Sequence, residues 1–157
     1  MKYLLALFFA LGWLRGLAQT IVLPSGEYLD TTSVRNPPCP TYGVRYYQVQ
    51  GKYPRSSATL AREAQAFLQQ YPFAGSGYVT FRFVIDCAGH RQPKVQLLQT
   101  DAQYQRYQFE AALVAALYAY FQTLTEWRVG LVQNVAVNYI AYLTFKLKDG
   151  KVVAVVP

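Results

Sequence analysis

The sequence predicts an α+β fold: a small antiparallel sheet of about three to five strands packed against one main helix, with a shorter helix before it. Three observations carry this. Residues 103–123 lie within the longest stretch without Gly or Pro, and Phe109, Leu113, Ala116, Leu117, Tyr120 and Leu124 recur every three to four residues, which lines one side of a helix with carbon. Val79, Phe81, Phe83 and Ile85 alternate along one run, and Val135, Val137, Tyr139, Ala141, Leu143, Phe145 and Leu147 along another, so every other side chain falls on one covered face of a strand. Asp149-Gly150, set between apolar runs, is the strongest hairpin signal in the chain and joins the second run to residues 151–156.

Taken in order, residues 1–18 read as a secretory signal peptide. Lys2 gives a positive start, residues 3–13 are apolar apart from one Gly, and Gly16 and Ala18 place small side chains where a signal peptidase reads, with cleavage before Gln19. The apolar run is about half of the roughly 20 residues a spanning helix needs, and Arg15 closes it, so no transmembrane helix is expected in the mature chain. Residues 19–52 form an arm and a Pro-rich segment. Ile21, Val22 and Leu23 read as a short strand or loose arm, Pro37, Pro38 and Pro40 exclude regular structure, and the run from Val44 to Val49 looks like a strand with no assignable place in the sheet.

Residues 53–157 form the α+β domain. Pro54, Ser56 and Ser57 start the first helix, whose apolar stripe is Leu60, Ala64, Phe67 and Leu68. Gly75 and Gly77 lead into the first confident strand, Asp86 to Gly89 reverse the chain, and Val95, Leu97 and Leu98 mark the return. Asp101 is placed to cap the main helix, with Tyr104 and Tyr107 on its first turns. Trp127 follows that helix and closes the core against the sheet end, a ligand-facing ring being the alternative; Phe81, Phe83, Leu113, Leu117 and Phe145 are the other structural positions. Residues 137–147 read as one long strand.

Composition and chemistry narrow the function. Lys2 and Arg15 belong to the leader, so the formal charge of +7 falls to +5 in the mature chain, carried by scattered side chains rather than a dense run. Nucleic acid is therefore not an expected partner, and oligomeric state is left open. Cys39 and Cys87 have one intramolecular pairing between them in an oxidising compartment, with two separate buried thiols as the alternative. No metal or other cofactor is expected, because Cys87 and His90 supply two ligands where a structural zinc site needs about four. Asp86 and Asp101 are distant in sequence and each has a turn or cap to make, so no catalytic residues are assigned and the chain does not read as an enzyme. Gly75 and Gly77 precede a strand rather than open a helix, the wrong geometry for cradling phosphate.

What remains is surface. Tyr78, Thr80 and Arg82 make a candidate flat face, beside which Tyr142, Thr144 and Lys146 would lie. The strand from Val137 through Tyr139, Tyr142, Thr144 and Lys146 is the candidate recognition strand, lending backbone groups to an extended partner, provided one of its edges is free; the rival arrangement makes it central. The tyrosines at 46, 47, 104, 107 and 142 support an alternative, a small exported carbohydrate-binding module or an enzyme.

The order of these residues resembles a known family. Residues 78–89 (YVTFRFVIDCAG), the helix through 109–124, the Trp127-Arg128-Val129-Gly130 loop and residues 142–151 (YLTFKLKDGK) together resemble the C-terminal domain of TonB-like proteins, in the exported single-domain form common in Bacteroidetes. Val129 stands where the family's loop carries proline. The resemblance implies a helix and antiparallel-sheet domain that binds a peptide segment of an outer-membrane transporter or another envelope protein by strand addition. The family's membrane anchor and Pro-rich spacer are not recognisable here, so the expectation is a standalone, non-enzymatic envelope adaptor, periplasmic or secreted.

Overall fold

The computed structural model describes residues 27–32, 39, 44–68 and 72–157. The expected cleavage site before Gln19, the apolar triplet at 21–23 and the prolines at 37, 38 and 40 lie outside the described residues.

The architecture is α+β. Strands β1 (Glu27–Asp30), β2 (Val44–Arg45), β3 (Gly77–Ile85), β4 (Arg91–Asp101), β7 (Tyr139–Lys148) and β8 (Lys151–Val156) form one six-stranded sheet, and β5 (Gly130–Val132) with β6 (Val135–Val137) forms a separate hairpin. Helices α1 (Ser57–Leu68) and α2 (Ala111–Gln122) are of equal length, 12 residues each. The main sheet runs β1-β4-β3-β7-β2, and β8 also pairs with β7. It is mixed rather than wholly antiparallel, since Val44 and Arg45 run parallel to Tyr139 and Ile140. The short strands β1 and β2 join residues before position 53 to the domain's sheet, which the sequence did not place.

Alternation explains the core. In β3 the residues Val79, Phe81, Phe83 and Ile85 are fully buried while those between them keep partial exposure. Opposite them α2 supplies Leu113, Leu117, Tyr120 and Phe121, and α1 supplies Leu60, Ala64 and Leu68, all in one apolar cluster. Phe121 sits 5.1 Å from Phe81 and 4.8 Å from Phe83, ring to ring. Trp127 closes the end of this cluster, 4.5 Å from the Tyr53 ring, with its indole N–H donating to the Leu124 carbonyl at 2.9 Å. Burying each such aromatic is worth about 1.5–3 kcal/mol, so this cluster dominates the fold's stability. A disulfide joins Cys39 to Cys87, the state expected of a chain that has left a reducing compartment. No helix among the described residues is long and apolar enough to cross a membrane.

Three local expectations are corrected. The main helix begins at Ala111, not near 103, because the Asp101 carboxylate accepts the N–H groups of Gln103 and Gln105 at 2.9 and 2.8 Å and closes a loop instead. That loop folds back on β4, where the Tyr107 N–H meets the Gln99 carbonyl and the Phe109 N–H meets the Gln99 side chain. Residues 137–147 are also not one strand. Gln133 and Asn134, both at positive φ, turn β5 into β6, and the buried Asn138 interrupts the run, its side-chain oxygen accepting the Cys87 N–H at 2.9 Å.

The third correction bears on function. β7 is an interior strand: β3 pairs with it from Tyr139 to Leu147, β2 holds Tyr139 and Ile140 on the other side, and β8 holds Thr144 to Lys148. Most of the edge that strand addition at 137–147 requires is therefore taken up by this chain's own backbone; among the described residues of β7 only 141–143 have no strand partner on that side.

Candidate functional site

Both helices cover one face of the sheet, and the period-2 geometry of each strand sends the intervening side chains to the other face. Neither α-helix lies on that second face; the short 3-10 turn at Tyr46–Gln48 borders it, and Gln96 upon it is buried. Register aligns the centre of the face into three rows across the strands, flanked by Val84 with Ile140 on one side and by Lys148 on the other. The central row is Leu98, Thr80, Thr144 and Val156, contributed by β4, β3, β7 and β8 in turn. Toward the β7–β8 turn lies Thr100, Tyr78, Lys146 and Ala154, and on the other side lies Tyr28, Gln96, Arg82 and Tyr142. The structure thus brings Tyr78, Thr80 and Arg82 together with Tyr142, Thr144 and Lys146. It sends Val137 and Tyr139 elsewhere: both are buried, and the Tyr139 hydroxyl donates to the Arg128 carbonyl at 2.7 Å and to that of Gly51 at 3.3 Å.

The rows are ordered by contacts within the face. The Thr80 and Thr144 hydroxyls hydrogen-bond each other at 3.0 Å. Tyr104, reaching over from the Asp101 loop, stacks on Tyr78 with ring centroids 4.9 Å apart and planes 9° from parallel, and its hydroxyl donates to that of Tyr78 at 3.3 Å. That hydrogen bond is the first cause holding the Tyr104 phenol above its ordinary pKa. At the other end the Arg82 guanidinium lies 5.7 Å from the Tyr142 ring, which Tyr46 approaches edge-on at 6.3 Å. Arg45 donates to the Tyr47 hydroxyl, the first cause raising its own pKa. Lys94 sits 5.0 Å from the Tyr28 ring. Among the described residues these three rows contain Arg82 and Lys146 and no carboxylate.

Sequence reading missed Tyr28, Gln96, Leu98, Thr100, Ala154 and Val156, which join the face through strand pairing. The alternation of Tyr28 with Leu29 was a visible signal, but β1 is only four residues long.

The other candidate positions are structural. Asp86 is buried and organises its turn, accepting the N–H groups of Ala88 and His90 at 2.9 and 2.8 Å and the Gln92 amide at 3.1 Å. His90 is exposed, and no group of three or more His, Cys, Asp or Glu among the described residues could hold a metal ion. One apolar cavity of about 400 Å³ lies between α2 and strands β1 and β4, lined by Leu29, Leu97, Phe109, Val114 and Tyr118 with Glu27, Gln99 and Gln108 at its rim. The small side chains Ala111 and Ala115 leave that space open. Among the described residues Glu27 is the one carboxylate lining it.

No family model matches the chain, and no curated protein or solved structure matches it.

Proposed function

We propose that this chain is a non-enzymatic domain of the cell envelope that binds a protein partner through the face of its sheet opposite the two α-helices. The observation that carries the proposal is that face itself: Tyr78, Thr80, Arg82, Tyr142, Thr144 and Lys146 share one surface that neither α-helix covers. Tyr and Arg are the residue types that concentrate binding energy at protein interfaces. Exposed Leu98 and Val156 at the two ends of the central row add apolar contact, at 40% and 54% exposure.

An envelope location agrees with the leader-like residues 1–18 and with the disulfide. The resemblance to the TonB C-terminal domain supports a role in binding an envelope protein, although β2 and β8 take up most of the β7 edge that the implied strand addition would use. The face replaces the edge as the recognition element.

The test uses the exported, epitope-tagged protein. Wild type should recover a specific envelope protein, and the double variant Tyr78→Ala/Thr144→Glu should lose it while melting at the same temperature within a few degrees. Undiminished recovery by the folded double variant would overturn the proposal.

A further inference from the structure

We infer that Tyr78 and Tyr104 form a modification site, where oxidation by a peroxide couples the two phenols into dityrosine and staples the loop after β4 to β3. The inference goes beyond the binding reading and does not rest on it. Its basis is the geometry of one pair of rings. Tyr104 stacks on Tyr78 with centroids 4.9 Å apart and planes 9° from parallel, and the two hydroxyl oxygens lie 3.3 Å apart. The oxygens are closer than the ring centres, so the rings converge at their hydroxyl ends. A phenoxyl radical carries unpaired spin on the Cε carbons that flank its oxygen, and the convergence brings those positions together.

The loop holds the outer ring in place. The Asp101 carboxylate accepts the N–H groups of Gln103 and Gln105, the Tyr104 N–H donates to the Asp101 carbonyl at 3.1 Å, and Tyr104 itself has a φ of 61°. A bulky side chain in the left-handed region persists only where its surroundings fix it. Tyr78 is held by the sheet, paired with Thr100 on one side and Lys146 on the other. Joining two groups already held in contact is effectively unimolecular, which favours this pair over collisions between molecules. Access is met as well, since Tyr104 is 70% exposed and Tyr78 is half-buried.

Other tyrosines lack one condition or another. Tyr47 and Tyr142 meet Tyr46 edge-on, at 81° and 65°. Tyr53, Tyr120 and Tyr139 are buried, with their hydroxyls bonded to backbone groups. Of these pairs and residues, only Tyr78 with Tyr104 combines parallel rings, adjoining hydroxyls and access.

The step balances with hydrogen peroxide as the oxidant. Each phenol gives up one electron and its hydroxyl proton, a Cε–Cε bond forms between the two radicals, and the hydrogen displaced from each carbon returns to the phenol oxygen. The peroxide accepts both electrons and both protons, its O–O bond breaks, and two waters leave. The Cys39–Cys87 disulfide agrees with a compartment free of the cytosolic thiols that would consume such an oxidant.

The experiment treats the dilute, processed protein, its disulfide intact, with hydrogen peroxide and a haem peroxidase, and isolates the monomer. Its intact mass should fall by two hydrogens, dityrosine fluorescence should appear in it, and tryptic mapping should join the peptides that carry Tyr78 and Tyr104. Tyr104→Phe keeps the ring and removes the phenol, so the yield in the monomer should drop by about tenfold or more, whereas Tyr47→Phe removes a different exposed phenol and should leave it within about twofold. Melting temperatures within a few degrees of wild type before treatment show that both variants are folded. The inference is overturned if the treated wild-type monomer keeps its mass, if its dityrosine maps to another pair, or if folded Tyr104→Phe yields as much as wild type. Recovery of the envelope partner enters none of these measurements, so the binding proposal stands or falls separately.

Discussion

Arg55 makes the clearest charge network in the protein, and it is structural. It links α1 at Glu63 to the loop after α2 at Glu126, and the hydrogen bond from Arg55 is the first cause holding the Glu126 carboxyl below its ordinary value of 4.5. A depressed folded pKa means that the pair's contribution is present above that ordinary value and is lost as pH falls through the folded one. Both partners are well exposed, so the contribution is small and screened by salt. Carboxyl NMR titration should find Glu126 below 4.5 in wild type and back near it in Arg55→Gln; equal values in the two proteins would remove the network from the account. At the alkaline end Tyr120 behaves oppositely. Burial pushes its phenol well above 10, with the hydrogen bond to Glu63 as a second cause, so its contribution is present below pH 10 and lost as pH rises beyond it.

Among the elements, the β7–β8 hairpin is where sequence and structure agree most closely. Asp149 and Gly150 both sit at positive φ, 49° and 72°, the geometry a two-residue turn of this hand requires. A Cβ on Gly150 would also collide with the Phe73 carbonyl. Gly150→Ala should therefore cost more than the roughly 1–2 kcal/mol of a left-handed residue alone, read as a lower urea midpoint with unchanged slope; an unshifted midpoint would contradict the turn assignment. The second hairpin was hidden because Gln133-Asn134 lacks the glycine that announces such turns, so β6 and β7 looked like one strand. Asp101 misled for a related reason: the same side chain that caps helices also closes local turns, and sequence does not say which. Tyr78, Thr80 and Arg82 were legible as one face from alternation within β3. Their neighbours on β4 and β8 were not, because register is a property of paired strands that no single strand's pattern contains. The choice between an edge and a central position for 137–147 was open for the same reason, since sheet order depends on where β2 and β8 return.

For the molecule as a whole, the disulfide ties Cys39 to the β3–β4 turn across 48 residues of chain. Loop closure of that length stabilises by about 4 kcal/mol in the chain-entropy account, toward the top of the usual range of about 2–4. Reduction, or the Cys39→Ser/Cys87→Ser variant, should lower the unfolding free energy by about that amount, and intact mass before and after reduction should differ by two hydrogens; a native protein with two freely alkylated thiols would contradict the pairing. The central claim concerns which surface meets the partner, an edge of the sheet or the face opposite the two α-helices. Photo-crosslinking decides it most directly, with the crosslinker placed in turn at Thr144 on the face, at exposed Val153 on β8, and at exposed Leu131 on the β5–β6 hairpin. The account predicts capture of one specific envelope protein from Thr144 and not from the other two positions; capture from Val153 or Leu131 with none from Thr144 would contradict it.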